Sequence, residues 1–285
     1  MDRDHPCHNP ALASKVIPRP EAGRHAANFP CAVEDGDDPL RACAFGVPSG
    51  RGTATIALLG DSHAANWRAA VQRVAEANRW HAVSLTLGGC PYSRSTRVIP
   101  EPLRSRCIER NRQVPAWFAR HPDVHVVFVA QISGVPWMAR RGQSQFETQV
   151  NDYIAAWDAL PASVRHIVVI RDTPKAPLGT PQCIDRALAH NRSAGMACRM
   201  SRHAVMDPDA AVAAAARLGS PRVQVADLSD YFCGPRWCYP VIGGALVQKD
   251  WNHLSAVFMT SLGPYLLQQV RDLMASWAAP ATHVR

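Results

Sequence analysis

The stretch Thr53-Ala54-Thr55-Ile56-Ala57-Leu58-Leu59-Gly60-Asp61-Ser62-His63-Ala64 decides the fold. Its first half is a short apolar run between Gly50-Arg51-Gly52 and Gly60. Residues on both faces are apolar, which suits a strand covered on both sides in a parallel sheet. From Ala64 to Arg79 the pattern changes. Trp67, Ala70, Val71, Val74 and Ala75 recur at helical spacing, which predicts an amphipathic helix. A strand that passes into a helix through Gly-Asp-Ser is the first half of a βαβ unit.

The same alternation runs on. Ala82–Leu87 reads as a second strand ended by Gly88-Gly89, followed by strands at Val124–Ala130, His166–Ile170 and Val223–Ala226. Helical spacing covers 105–120 (with Pro115 expected to kink it), 146–160, 207–218 (with Asp207 as N-cap before Pro208) and 255–277 (interrupted near Gly263-Pro264). Five short buried strands alternating with helices predict an α/β fold with a mainly parallel five-stranded sheet. Residues 1–45 carry six prolines and the acidic patch Glu34 to Asp38, and read as an irregular extension or linker. The remainder, 46–285, reads as one domain.

Composition excludes several classes. At 285 residues and 47% apolar content the chain can bury a core. No apolar run approaches the roughly 18–20 residues of a membrane span. The net charge of +8 is carried almost entirely by scattered arginines, with lysine only at 15, 175 and 249, so a nucleic-acid surface is not expected. No phosphate-binding or dinucleotide glycine motif is present, and no cofactor is expected. Nine cysteines include the near neighbours Cys31 with Cys43, Cys90 with Cys107, Cys183 with Cys198, and Cys233 with Cys238, leaving Cys7 over. Short-loop disulfides in an oxidising compartment are the favoured reading, with zinc as the competitor. Met1 to Pro10 shows no apolar signal core, so work outside the cytoplasm would need a segment or system beyond this stretch.

In α/β sheets active sites form at the carboxyl ends of the strands, and Gly60 to His63 lies at such an end. Ser62 would be exposed there beside helix-start N–H groups; the plainer reading is that Asp61 or Ser62 only caps the helix. A serine needs a base and a carboxylate to act as a nucleophile. Asp250-Trp251-Asn252-His253-Leu254-Ser255 supplies both, with Asp250 accepting the His253 Nδ1 proton and Nε2 left to face Ser62. Trp67, Trp137 and Trp251 are candidate stacking platforms, with core packing favoured for Trp67. Arg171 and Asp172 are weaker substrate candidates, and Asp227 and Asp230 read as turn residues.

Gly60-Asp61-Ser62-His63-Ala64, Cys90-Pro91 and Asp250-x-x-His253-Leu254-Ser255 together resemble the SGNH (GDSL-type) hydrolase superfamily. More narrowly, they resemble the SGNH domain fused to acyltransferase-3 membrane proteins that O-acetylate bacterial surface glycans, over residues 43–275. The resemblance implies a three-layer α/β/α, flavodoxin-like fold, an acyl-enzyme on Ser62, and activation by His253 and Asp250. It implies a periplasmic, membrane-tethered setting, a glycan acceptor, and an acyl group delivered by a membrane acyltransferase domain. It also implies oxyanion donors from the Ser62 backbone, from Gly88 or Gly89, and from an asparagine after the third strand. The third strand instead ends Ala130-Gln131-Ile132-Ser133-Gly134, so the Gln131 amide or the Ser133 hydroxyl would have to substitute. The resulting expectation is an O-acyltransferase. A glycan O-acetylesterase and a non-catalytic glycan-binding module are the alternatives.

Overall fold

A computed structural model describes residues 10–33 and 36–278. Cys7 and part of the acidic patch, Glu34 and Asp35, lie outside the described residues. The sheet contains β1 (Ala32–Val33), β2 (Cys43–Gly46), β3 (Ala54–Gly60), β4 (Trp80–Thr86), β5 (Val124–Ala130), β6 (His166–Ile170) and β8 (Val223–Ala226). The short β7 (Met200–Ser201) pairs outside it with Trp237–Cys238. Strand order is β1-β2-β4-β3-β5-β6-β8. The five strands expected from sequence, β4, β3, β5, β6 and β8, are mutually parallel. The stretch before residue 46, expected to be irregular, adds β2 antiparallel to β4 and β1 antiparallel to β2. Strands of two and four residues are too short to show a side-chain period, which is why composition alone hid them.

Helices complete three layers: α1 (Pro20–Arg24), α2 (Ser62–Asn78), α3 (Leu103–Arg120), α4 (Gln145–Asp158), α5 (Thr180–Ala189), α6 (Ala194–Ala197), α7 (Arg202–Val205), α8 (Ala210–Leu218) and α9 (Ala256–Ala278). Successive side chains of β3 point to opposite faces. Ile56 and Leu58 pack with Trp67, Ala70 and Val74 of α2 and with Phe258, Leu262 and Leu266 of α9. Ala57 and Leu59 pack with Val114 and Trp117 of α3, Val150 and Trp157 of α4, and Ala214 of α8. Two separate cores therefore need Ile56 to Leu59 to be apolar at every position, and these four residues are fully buried. The Ile56, Leu58 and Leu59 side chains each contribute about 1.5–3 kcal/mol.

Two local expectations are corrected. The N-cap of α8 is Asp209, not Asp207: its carboxylate accepts from the Ala211 and Val212 N–H groups, while Asp207 pairs with Lys175 at 2.6 Å. Helix α9 runs through Gly263-Pro264 without interruption. Gly263 is there for close helix packing, since a Cβ would sit 2.5 Å from the Arg73 side chain on α2. Burial of Phe258, Leu262, Leu266 and Val270 along one face outweighs the hydrogen bond that Pro264 forgoes.

The cysteines pair as neighbours: Cys31–Cys43, Cys90–Cys107, Cys183–Cys198 and Cys233–Cys238 are disulfides, so the last pair is not a zinc knuckle. Among the described residues no helix is long and apolar enough to cross a membrane.

Gly60 turns the chain at the end of β3 with φ +149°, and a Cβ there would meet the Ala130 carbonyl oxygen at 1.9 Å. The Gly60→Ala variant is expected to lose about 3 kcal/mol or more of stability in urea unfolding, because the central strand pair must separate to admit the methyl group.

Candidate active site

Ser62 is the first residue of α2, half-buried at the carboxyl end of β3. Asp61 makes this junction. Its Oδ1 accepts from the His63 N–H (2.8 Å), capping the helix, and its Oδ2 accepts from the Ile132 N–H (3.0 Å) in the loop after β5. The capping role weighed for Asp61 is thus present, and the cap leaves the Ser62 hydroxyl free to meet a partner from the other end of the chain.

That partner is His253, whose Nε2 lies 2.8 Å from Ser62 Oγ. Its Nδ1 lies 2.7 Å from Asp250 Oδ2. A carboxylate on the Nδ1 side holds the proton there and leaves Nε2 as the acceptor for the serine hydroxyl. Asp250 Oδ1 accepts from the Asn252 and His253 N–H groups at 2.9 and 2.7 Å. Burial opposes ionisation of Asp250, but the His253 ring and these two N–H groups win and pull its pKa down to about 2. The Asp250–His253 loop is anchored on both sides: the Leu254 N–H donates to Asn66 Oδ1 on α2 (3.2 Å), and the Ser255 hydroxyl accepts from the Phe258 N–H (3.2 Å) at the start of α9.

The residue stretch before β1 takes part. Asn28 Oδ1 accepts from Asn66 Nδ2 (2.7 Å) and from Lys249 Nζ (2.9 Å), and Lys249 Nζ also donates to the Ala26 carbonyl (2.9 Å). One asparagine thus joins the serine helix to the histidine loop.

Gly88 and Gly89 form the turn after β4, Gly89 with φ +72°. The following segment is pinned by the Cys90–Cys107 bridge and by Asn111 Nδ2, which donates to the Pro91 and Ser93 carbonyls at 2.8 and 3.2 Å. Gln131 is 5% exposed; its Oε1 accepts from the Tyr92 N–H (3.1 Å), and its Nε2 is buried without a partner among the described residues. An unpaired buried amide N–H is costly unless something completes it. Ser133 is already engaged, its N–H and hydroxyl both donating to Asp172 Oδ2 at 2.7 and 2.8 Å.

Sequence reasoning missed what His63 does. Its Nδ1 lies 2.5 Å from Asp172 Oδ1, both side chains are almost wholly buried, and its ring centroid stands 5.7 Å from that of His253. The only signal was an imidazole next to the serine; its partner lies 109 positions away. Burial disfavours the His63 cation, yet the charge and hydrogen bond of Asp172 raise its pKa above the ordinary value. Burial likewise opposes the Asp172 anion, and His63 and Ser133 lower its pKa nonetheless. Of the other candidates, Trp67 and Trp137 are core residues, Trp251 is 44% exposed, and Arg171 pairs with Asp227 at 2.7 Å.

A three-layer sheet with serine, histidine and carboxylate joined at its carboxyl edge defines an SGNH-type α/β protein. A family model for the SGNH domain (fused to AT3 domains) matches residues 30–268, and the chain belongs to this family. The periplasmic domain of a lipopolysaccharide acetyltransferase from Salmonella ser. Paratyphi A has a similar fold. It is 13% identical with a TM-score of 0.58, over 79% of this chain and 85% of that one. Among curated proteins no significant match is found.

The buried pair sets a pH signature. The raised His63 value contributes stability that is complete below pH 6.5 and is lost as pH rises through it; the lowered Asp172 value contributes stability that is complete above pH 3.8 and is lost as pH falls through it. The Asp172→Asn variant is therefore expected to be less stable by about 3–5 kcal/mol. The deficit is largest between pH 3.8 and 6.5 and shrinks on either side, as read by urea titrations across pH.

Proposed function

We propose that the chain is a serine-dependent O-acyltransferase, an O-acetyltransferase in its simplest form, that modifies a bacterial cell-surface glycan outside the cytoplasm. The observation that carries this reading is the unbroken relay from Asp250 Oδ2 through His253 to Ser62 Oγ, with both contacts below 2.9 Å. Family membership supports it, because the family's SGNH domains are fused to AT3 domains. The Salmonella protein of similar fold is itself described as a periplasmic acetyltransferase domain.

In the first half-reaction Ser62 Oγ attacks the acyl carbonyl as His253 Nε2 takes its proton. The tetrahedral intermediate collapses, and the leaving group departs with that proton. A sugar hydroxyl then gives its proton to Nε2 and attacks the Ser62 ester; collapse returns the proton to Ser62 and releases the acylated sugar. Throughout, Asp250 keeps the Nδ1 proton in place. The Ser62 N–H at the start of α2 and a Gly88 or Gly89 N–H are the proposed oxyanion donors, with the unpaired Gln131 Nε2 as the third. The acyl group arrives from a membrane acyltransferase domain or partner.

Acetyl release from 4-nitrophenyl acetate, with and without a panel of glycans, tests the reading. Wild-type chain is expected to release acetyl faster with an acceptor present and to yield acetylated sugar. The Ser62→Ala and His253→Ala variants are expected to fall by about 10⁴-fold. Release indifferent to every glycan would make the protein an esterase. No Ser62-dependent release, together with no transfer in cells that carry the membrane partner, would defeat acyl transfer altogether. A Gln131→Leu variant is expected to slow acyl-enzyme formation by about 10²-fold, read as the pre-steady-state burst.

A further inference from the structure

Beside the histidine loop, on the Asp250 side, lies a cavity of about 290 Å³ between α1, the start of α5 and Lys249–Trp251. Its walls are mostly apolar, with Pro20, Ala176, Leu178 and Ile184 facing polar groups at one side. We propose that this cavity is the acceptor subsite, and that it holds an anionic pyranose of the glycan on Trp251; the proposal rests on the acyl-transfer reading of Ser62.

Three observations carry it. Trp251 sits between Asp250 and His253 in sequence, is 44% exposed, and lines the cavity, so a ring stacked on its indole lies next to the relay. The C–H face of a pyranose fits such a surface, and an aromatic ring offers area at little entropic cost. The neighbouring Lys175 ammonium, 5.9 Å from the indole centroid, steadies the ring.

Gln248 supplies the second observation. It lines the cavity at 6% exposure, its Nε2 donates to the Pro174 carbonyl at 3.1 Å, and its Oε1 is buried with no partner among the described residues. A buried acceptor without a donor is a liability that a ligand hydroxyl removes. A fatty chain would not satisfy it, and a sugar would.

Charge gives the third. Arg24 of α1 lines the cavity, is exposed, and has no ion-pair partner among the described residues. Lys249 also lines it. The one carboxylate in the wall, Asp250, is committed to His253. The open cation calls for a carboxylate or phosphate on the sugar, and a guanidinium binds either in a bidentate manner. The wall carrying Arg24 and Pro20 comes from the segment before β1, which gives that segment a part in choosing the acceptor.

Binding is measured by isothermal titration to the Ser62→Ala protein, so that turnover plays no part. The probes are a hexuronic-acid oligosaccharide, a neutral hexose oligosaccharide of equal length, and octanoate. The uronic chain is expected to bind more tightly than the neutral one. Adding Trp251→Ala is expected to weaken it about tenfold. Adding Arg24→Gln is expected to abolish the preference for the charged chain. Trp237→Ala, at an exposed tryptophan that stacks with Arg199 elsewhere, is expected to change nothing. Both test positions are exposed, and equal melting temperatures establish that the variants fold. Octanoate binding with neither saccharide bound would overturn the proposal, as would saccharide binding indifferent to Trp251→Ala. Fluorophosphonate labelling of Ser62 in the wild-type chain is read separately. Saccharide binding without labelling leaves the subsite standing and removes the acyl-transfer reading, whereas labelling without saccharide binding removes the subsite alone.

Discussion

The Asp61 carboxylate closes the carboxyl end of β3 from a position with no access to solvent, and each of its oxygens holds a different element. One takes the His63 N–H and so starts α2; the other takes the Ile132 N–H and so fixes the loop after β5. Ser62 and Gln131 are therefore set in register by a single side chain. Burial pushes the Asp61 pKa up, against the pull of His63 and of the two N–H groups. A methyl group on Gly60 or a missing acceptor at Asp61 would disturb the same strand end. Asp172, after β6 and two strands along the sheet, repeats the device, joining His63 on α2 to Ser133 after β5, while its own N–H is held by Asp209, the cap of α8. Three strand ends are thus tied by carboxylates before the histidine loop contributes anything.

That loop arrives from the other side of the serine and is fixed by amides. Asn66 on the serine helix accepts from the Leu254 N–H and donates to Asn28, which also accepts from Lys249. The relay distance between Ser62 and His253 depends on this chain of contacts, neutral except for the Lys249 ammonium. They are individually modest, at about 0.5–1.5 kcal/mol each, and gain from sharing one buried junction. The segment before β1 is consequently part of the site.

Much of this was legible in the order of residues. Each of the five parallel strands is short and apolar, and each is followed by helical spacing, so the layer architecture could be read from Ile56 to Ala226. Ser62, Asp250 and His253 carried their own signal, because a Gly-Asp-Ser turn and an Asp-x-x-His turn are local patterns. The His63–Asp172 pair was not legible, since neither residue has a local feature that names the other. The role of Asn28 was hidden for the same reason, within a proline-rich stretch that looks unstructured by composition. Pro264 misled in the opposite direction: a local rule marks a break, and the long-range packing of α9 on α2 overrides it. What sequence shows is periodicity and short-range geometry; what it hides is contact between distant side chains.

The two imidazoles divide the electrostatic work. On the acyl-transfer reading, His253 becomes an imidazolium in each half-reaction and must be stabilised where it stands. Asp250, held as an anion by its two N–H donors, provides the charge. Asp172 places a second carboxylate against the His63 ring, whose centroid stands 5.7 Å from that of His253, in buried surroundings where charges act strongly. His63 cancels that charge by pairing with Asp172 out of contact with solvent. The histidine beside the serine therefore needs no contact with substrate to matter: with Asp172 it ties α2 to the loop after β5, while Asp250 is the carboxylate that holds His253.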